Sequence, residues 1–158
     1  MPITRKQTRR LITFSGIAVI VGLVAFMVFL QLEASRSNDF KSAFEKIVVD
    51  TDALTQEYTA EEDKWLPKDN NTLIQVIGQY LPRYDQLIDR AKALNGPEKY
   101  NSAKEYLIST IQLERDSYER FRNYLVTANQ SEYQQSSDLI SMSLQQSINA
   151  DAAIKGAG

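Results

Sequence analysis

The stretch Leu11–Leu30 reads LITFSGIAVIVGLVAFMVFL, twenty residues with no charge and with Thr13 and Ser15 as the only polar side chains. At a rise of about 1.5 Å per residue a helix of this length reaches about 30 Å, the thickness of a bilayer hydrocarbon core. A secretory signal carries an apolar core of about 7–15 residues followed by small residues at the cleavage site. Here the run is longer, the position two before Ala34 is Leu32, and no cysteine exists to carry a lipid. A retained membrane anchor is therefore the expectation, with a cleaved signal or a buried soluble helix as the alternatives.

Charge sets the expected orientation. Arg5, Lys6, Arg9 and Arg10 precede the run and no acid does, whereas Glu33, Arg36, Asp39 and Lys41 are mixed after it. Positive residues stay on the cytoplasmic side of a span. The expected organisation is a basic cytoplasmic tail over 1–10, a single transmembrane anchor over 11–32, an extracytoplasmic helical bundle over 33–154 and a frayed tail over 155–158. The localisation this implies is the plasma membrane, single-pass, with the N-terminus cytoplasmic.

With four cations in the first ten residues, the remainder holds 14 Lys and Arg against 20 Asp and Glu, a net charge of −6. An acidic exterior argues against nucleic acid, which needs clustered cations, and against lying flat on anionic lipid. The chain has no histidine and no cysteine. That removes Ser–His and Cys–His nucleophiles, the commonest transition-metal ligands and the Glu-x-x-His pairs of di-iron bundles. There is no Ser-x-x-Lys and no glycine-rich phosphate loop. Asp50-x-Asp52 lacks the glycine and distal glutamate of a calcium loop and reads as a solvated helix face. No catalytic residue, cofactor site or metal site is expected.

Beyond the anchor, Phe40, Phe44, Ile47, Thr51, Leu54, Tyr58 and Trp65 recur at alternating steps of four and three, then seven, the spacing of one buried helix face. Ser37 or Asn38 could cap a fresh helix here, but a helix continuous with the anchor fits better. Pro67 and the polar 68–71 should end it. A second helix is expected over Thr72–Leu94 on Leu73, Ile77, Tyr80, Tyr84, Leu87, Ala91 and Leu94, kinked near Gly78–Pro82. Asn95-Gly96-Pro97 should stop it, with glycine at the C-terminal cap. A third helix is expected over Pro97–Ala128 on Tyr100, Ala103, Leu107, Ile111, Glu114, Tyr118, Phe121 and Leu125, and a fourth over Ser131–Ile154, opened by a Ser131–Gln134 capping box. On the fourth, Ile140, Leu144 and Ile148 should face the core, while Met142 looks outward.

Short connections make neighbours antiparallel, so the expected fold is all-α: the transmembrane helix followed by an up-down bundle of three to four helices. In element order and hydrophobic spacing, residues 1 to about 150 resemble the extracytoplasmic four-helix-bundle sensor domains of chemoreceptors and histidine kinases. The resemblance implies a sensing or protein-interaction module without catalysis. Those receptors continue through a second span to cytoplasmic signalling modules, whereas this sequence stops at Gly158, so sensing would act through a partner chain. The alternative is a small accessory or structural subunit of a larger membrane complex.

Particular residues stand out. Glu114 falls on the third helix's apolar stripe: either a buried ligand site or ion-pair switch served by Arg83, Arg90 or Arg120, or a register drift that turns Leu113 or Ser117 inward and leaves Glu114 at the edge. The ten aromatic residues from Tyr58 to Tyr133 either line a cleft for an organic ligand or partner, or fill a thin bundle core with their hydroxyls reaching water. Trp65, beside Pro67 and the acidic Glu61-Glu62-Asp63, is the first candidate for a partner contact and Met142 the second, at a docking seam between the fourth and first helices. Asn70-Asn71-Thr72 and Asn129-Gln130-Ser131 are sequons in expected connections, making Asn70 and Asn129 candidate glycosylation sites. A protein partner or a homo-oligomer is expected, alongside the membrane and without nucleic acid; nothing specific supports a small-molecule ligand.

Overall fold

Among the described residues the chain forms α1 (Arg5–Trp65), α2 (Asn70–Lys92), a 3-10 turn (Glu98–Tyr100), α3 (Asn101–Thr127) and α4 (Gln130–Gly156), and no strand. The computed structural model describes residues 5–66 and 69–157, with side chains described from residue 31 onward. The chain divides into two units, Met1–Asn38 and Asp39–Gly158, and the bundle is the second. The side chains of Leu11–Leu30, and the anchor expected there, lie outside the described residues. Among the described residues no helix is long and apolar enough to cross a membrane.

The heptad stripe of α1 is buried from Phe40 through Tyr58, and Ser37 and Asn38 are helical rather than a cap. Asp69, not a residue near Thr72, starts α2. Its carboxylate accepts from the backbone N–H of Asn71 (3.0 Å) and Thr72 (3.1 Å) and from the Thr72 hydroxyl (2.6 Å), filling donors that a helix start leaves open. These bonds, led by the Thr72 hydroxyl, hold the Asp69 carboxyl below its ordinary value. The α2 helix runs through the exposed Pro82, which supplies no N–H to the Gly78 carbonyl. It ends at Lys92 with Ala93 as its cap, so Gly96 is not the cap expected of it. Its smallness serves another purpose: a Cβ at Gly96 would stand 2.5 Å from Phe40 Cδ2. Phe40 is itself fixed, stacked on Tyr100 with ring centroids 4.9 Å apart.

The third helix closes on Ala128, whose φ of 54° is left-handed, with its N–H on the Tyr124 carbonyl at 2.7 Å. Asn129 then caps α4 by accepting from Ser131 N–H at 3.0 Å. That replaces the expected Ser131–Gln134 capping box, and Gln134 instead donates to Asp138.

The packing of α4 reverses expectation. Leu144 and Ile148, expected in the core, are each 63% exposed, and Ile140 is only half-buried. The buried positions are Ser136, Ser143 and Ala150, seven apart. They face an equally small series on α3, Ala103, Thr110 and Ser117, all buried. Ser117 donates its hydroxyl to the Ser136 carbonyl at 2.9 Å, and Ser143 donates to the Thr110 carbonyl at 3.0 Å. In this antiparallel register Ala103 falls level with Ala150. Small side chains let two helix axes close up, and the Ser117 and Ser143 hydroxyls are satisfied on facing carbonyls, with the Ser136 hydroxyl on that of Ser117.

Candidate functional site

Three helices meet at Glu114, which is 8% exposed. Its Oε1 accepts from the Thr55 hydroxyl of α1 at 2.5 Å, the Tyr118 hydroxyl of α3 at 2.8 Å and the Tyr84 hydroxyl of α2 at 3.2 Å. Tyr84 and Thr55 also stand 3.1 Å apart. Burial first, and then the Glu114 charge, push both phenols up. Burial, with Glu62 next, does the same to Tyr58, whose ring lies 4.2 Å from that of Tyr118. Buried carboxylates need hydrogen bonds or counter-ions, and this one is served by hydroxyls. The arginines expected as its partners lie elsewhere: Arg83 grips Glu57 through two bonds, Arg90 pairs with Asp50 and Arg120 with Glu132. Glu114 has not drifted to the edge either. It is a polar knot tying α1, α2 and α3, and the tyrosines around it fill core.

The exposed feature lies between α1 and α4. These helices run antiparallel, and between them opens a groove of about 470 Å³ floored by Leu107 and Thr110. Its α1 wall carries Val48 and Val49, its α4 wall Ser147 and Ile154. At 100° per residue, Leu144 and Ile148 fall on the same flank of α4 as Ser147, Asp151 and Lys155. Val49 is 65% exposed. Val48, Val49 and Ile154 thus line an open seam, and Leu144 and Ile148 extend its apolar surface along the exposed flank of α4, without a covering helix among the described residues. The seam is where partner docking was expected, but its apolar residues are Val49, Leu144 and Ile148, which sequence reasoning had left unassigned or put in the core. The signal that could have found them is the seven-residue spacing of Ser136, Ser143 and Ala150, which assigns the buried face of α4 to its small residues.

Met142 is 52% exposed but points away from the groove, on the opposite flank of α4. Trp65 is half-buried at the far end of α1, its indole N–H donating to Glu61 Oε2 at 3.0 Å and its ring under the Lys64 ammonium. Asn70 and Asn129 are both exposed at that end, Asn70 as the first residue of α2 and Asn129 as the cap of α4. Neither Trp65 nor Met142 joins the groove.

Among the described residues no group of three or more acidic side chains is placed to hold a metal ion. The open cleft between α2 and α3 is bordered by Asp85, Asp89, Lys92 and Arg115, the last paired with Asp85 and Glu119. No family model matches the chain, and neither a curated protein nor a solved structure matches it.

Proposed function

We propose that this chain is a membrane-anchored helical bundle that binds other proteins, held by Leu11–Leu30 with the bundle outside the membrane, and that it performs no catalysis. The observation that carries the binding role is the inverted α4: serine and alanine face inward while Leu144 and Ile148 stand 63% exposed beside an open apolar groove. Exposed contiguous apolar surface costs free energy in water and is characteristic of interaction surfaces. The uncharged twenty-residue run and the four preceding cations support the anchor and its orientation.

A photo-reactive residue introduced at Leu144 in the full chain tests the binding role. The expected result is a cross-link to another polypeptide, and none from Gln86 on the opposite side of the bundle. Equal labelling from both positions would contradict it. For topology, a reporter enzyme active only outside the cytoplasm and fused after Gly158 should be active; activity of a cytoplasm-dependent reporter there would overturn the orientation.

A further inference from the structure

The groove between α1 and α4 has a charge pattern as well as an apolar lining. Glu45 and Asp52 stand seven residues apart on its α1 lip, either side of Val48 and Val49, and neither makes an ion pair among the described residues. On the opposite lip Asp151 is neutralised within α4 by Lys155 at 2.6 Å. At its mouth Lys41 lies 5.8 Å from the Tyr100 ring centroid. Lys41 lines the groove one turn before Glu45 and makes no ion pair among the described residues either, so the lining carries two unpaired acids, about 10 Å apart along the helix, against one unpaired cation held toward the Tyr100 ring.

We propose that this groove takes an amphipathic helix from a different chain, with an apolar stripe on Val48, Val49, Leu144 and Ile148 and with Lys or Arg one heptad apart opposite Glu45 and Asp52. The inference rests on the protein-binding reading given above and names its partner. A helix is the shape that fits, because two antiparallel helices with a floor of side chains leave room for a further helix laid along them. The flanking charges select its sign, as they do at the edges of coiled-coil seams.

A second copy fits poorly. Because α1 and α4 are antiparallel, Lys41 and Lys155 fall at one end of the groove, and Glu45 and Asp151 one turn further in. Two copies anchored in the same membrane keep their levels, so α1 of one against α4 of the other sets Lys41 beside Lys155 and Glu45 beside Asp151. The Asp151–Lys155 ion pair of one copy is already neutral, so it brings no net positive charge to the Glu45 and Asp52 of the other.

Two synthetic helical peptides with the same apolar heptad, one flanked by Lys and Arg and the other by Glu, provide the test. Binding to the purified full chain in neutral detergent is followed by fluorescence anisotropy, with detergent alone as the blank. The basic peptide should bind roughly threefold to tenfold more tightly than the acidic one. Glu45→Lys with Asp52→Lys should reverse that preference, and both substitutions are exposed, so the fold is kept. Leu144→Ser with Ile148→Ser should remove binding of either peptide. Equal binding of the two peptides, or a preference unmoved by charge reversal, overturns the proposal. If no peptide binds but the chain is a dimer that Leu144→Ser with Ile148→Ser dissociates, the occupant is a second copy: the basic-helix proposal fails and the protein-binding reading survives. If no peptide binds and the chain stays monomeric in every variant, both fail.

Discussion

The Ser117 hydroxyl donates to the Ser136 carbonyl at 2.9 Å, with the two hydroxyls 3.0 Å apart, so α3 and α4 meet through small polar side chains rather than through leucines. Adding volume there should cost more than removing apolar volume from the other side of α4. Ser136→Leu should lower stability by about 1–3 kcal/mol through overpacking. Leu144→Ser with Ile148→Ser should leave the melting temperature nearly unchanged, since both residues are exposed. Thermal unfolding followed by circular dichroism compares the two.

Glu114 accepts from three hydroxyls, and its removal should cost more than its neutralisation. Glu114→Leu takes the acceptor from the Tyr118 hydroxyl and leaves the Tyr84 hydroxyl with Thr55 alone, and should destabilise by about 1–3 kcal/mol. Glu114→Gln keeps an acceptor oxygen at the same place and should cost less. Denaturant unfolding of the two variants measures the difference, and a larger loss for Gln than for Leu would contradict the hydroxyl cage.

Burial raises the Tyr58, Tyr84 and Tyr118 phenols above their ordinary value of 10.0. Raised folded-state values mean that the folded form keeps protons the unfolded form has lost. Stability from these groups is intact below pH about 10 and drains away as pH rises above it. Alkaline titration should show phenolate absorbance from the three appearing together with loss of helix. Tyr118→Phe should lower stability at neutral pH, where it loses the Glu114 bond, yet make its fall above pH about 10 shallower.

Two small residues should respond oppositely to a single methyl group. Gly96→Ala would drive a Cβ into Phe40, which is pinned against Tyr100, and should cost about 1–3 kcal/mol. Ala128→Gly relieves a left-handed backbone at the end of α3 and should stabilise by about 0.5–1 kcal/mol. Melting temperatures of the two variants should move in opposite directions.

Much of the bundle was legible because α1, α2 and α3 bury large apolar side chains at heptad spacing: Phe40, Phe44, Ile47 and Leu54, then Leu73, Ile77 and Tyr84, then Leu107 and Ile111 all lie where their spacing puts them. The fourth helix was misread because hydrophobic spacing weighs transfer energy alone. Ser136 and Ser143 are buried at little cost once their hydroxyls find partners, Ser136 on the Ser117 hydroxyl and Ser143 on the Thr110 carbonyl, and their smallness permits a close approach that leucine would block. Once the serines turn inward, Leu144 and Ile148 must turn out. Glu114 was legible as an anomaly, but its partners were sought among arginines when three hydroxyls from three helices already converge on it. Gly96 was read as a cap from local turn chemistry, whereas a tertiary contact with Phe40, 56 positions earlier, is what requires it.

The inverted face of α4 can be measured directly, because the chain has no cysteine and each introduced thiol is the only one present. Single cysteines at Ser136, Ser143, Leu144 and Ile148 would be labelled in the purified native chain with a water-soluble thiol reagent, and their rates compared with those in denaturant. Leu144→Cys and Ile148→Cys should react at nearly their unfolded rates, and Ser136→Cys and Ser143→Cys should be strongly protected. Protection at 144 and 148 with rapid labelling at 136 and 143 would mean that α4 packs through its apolar residues, and that the groove beside it has no open apolar wall to offer a partner.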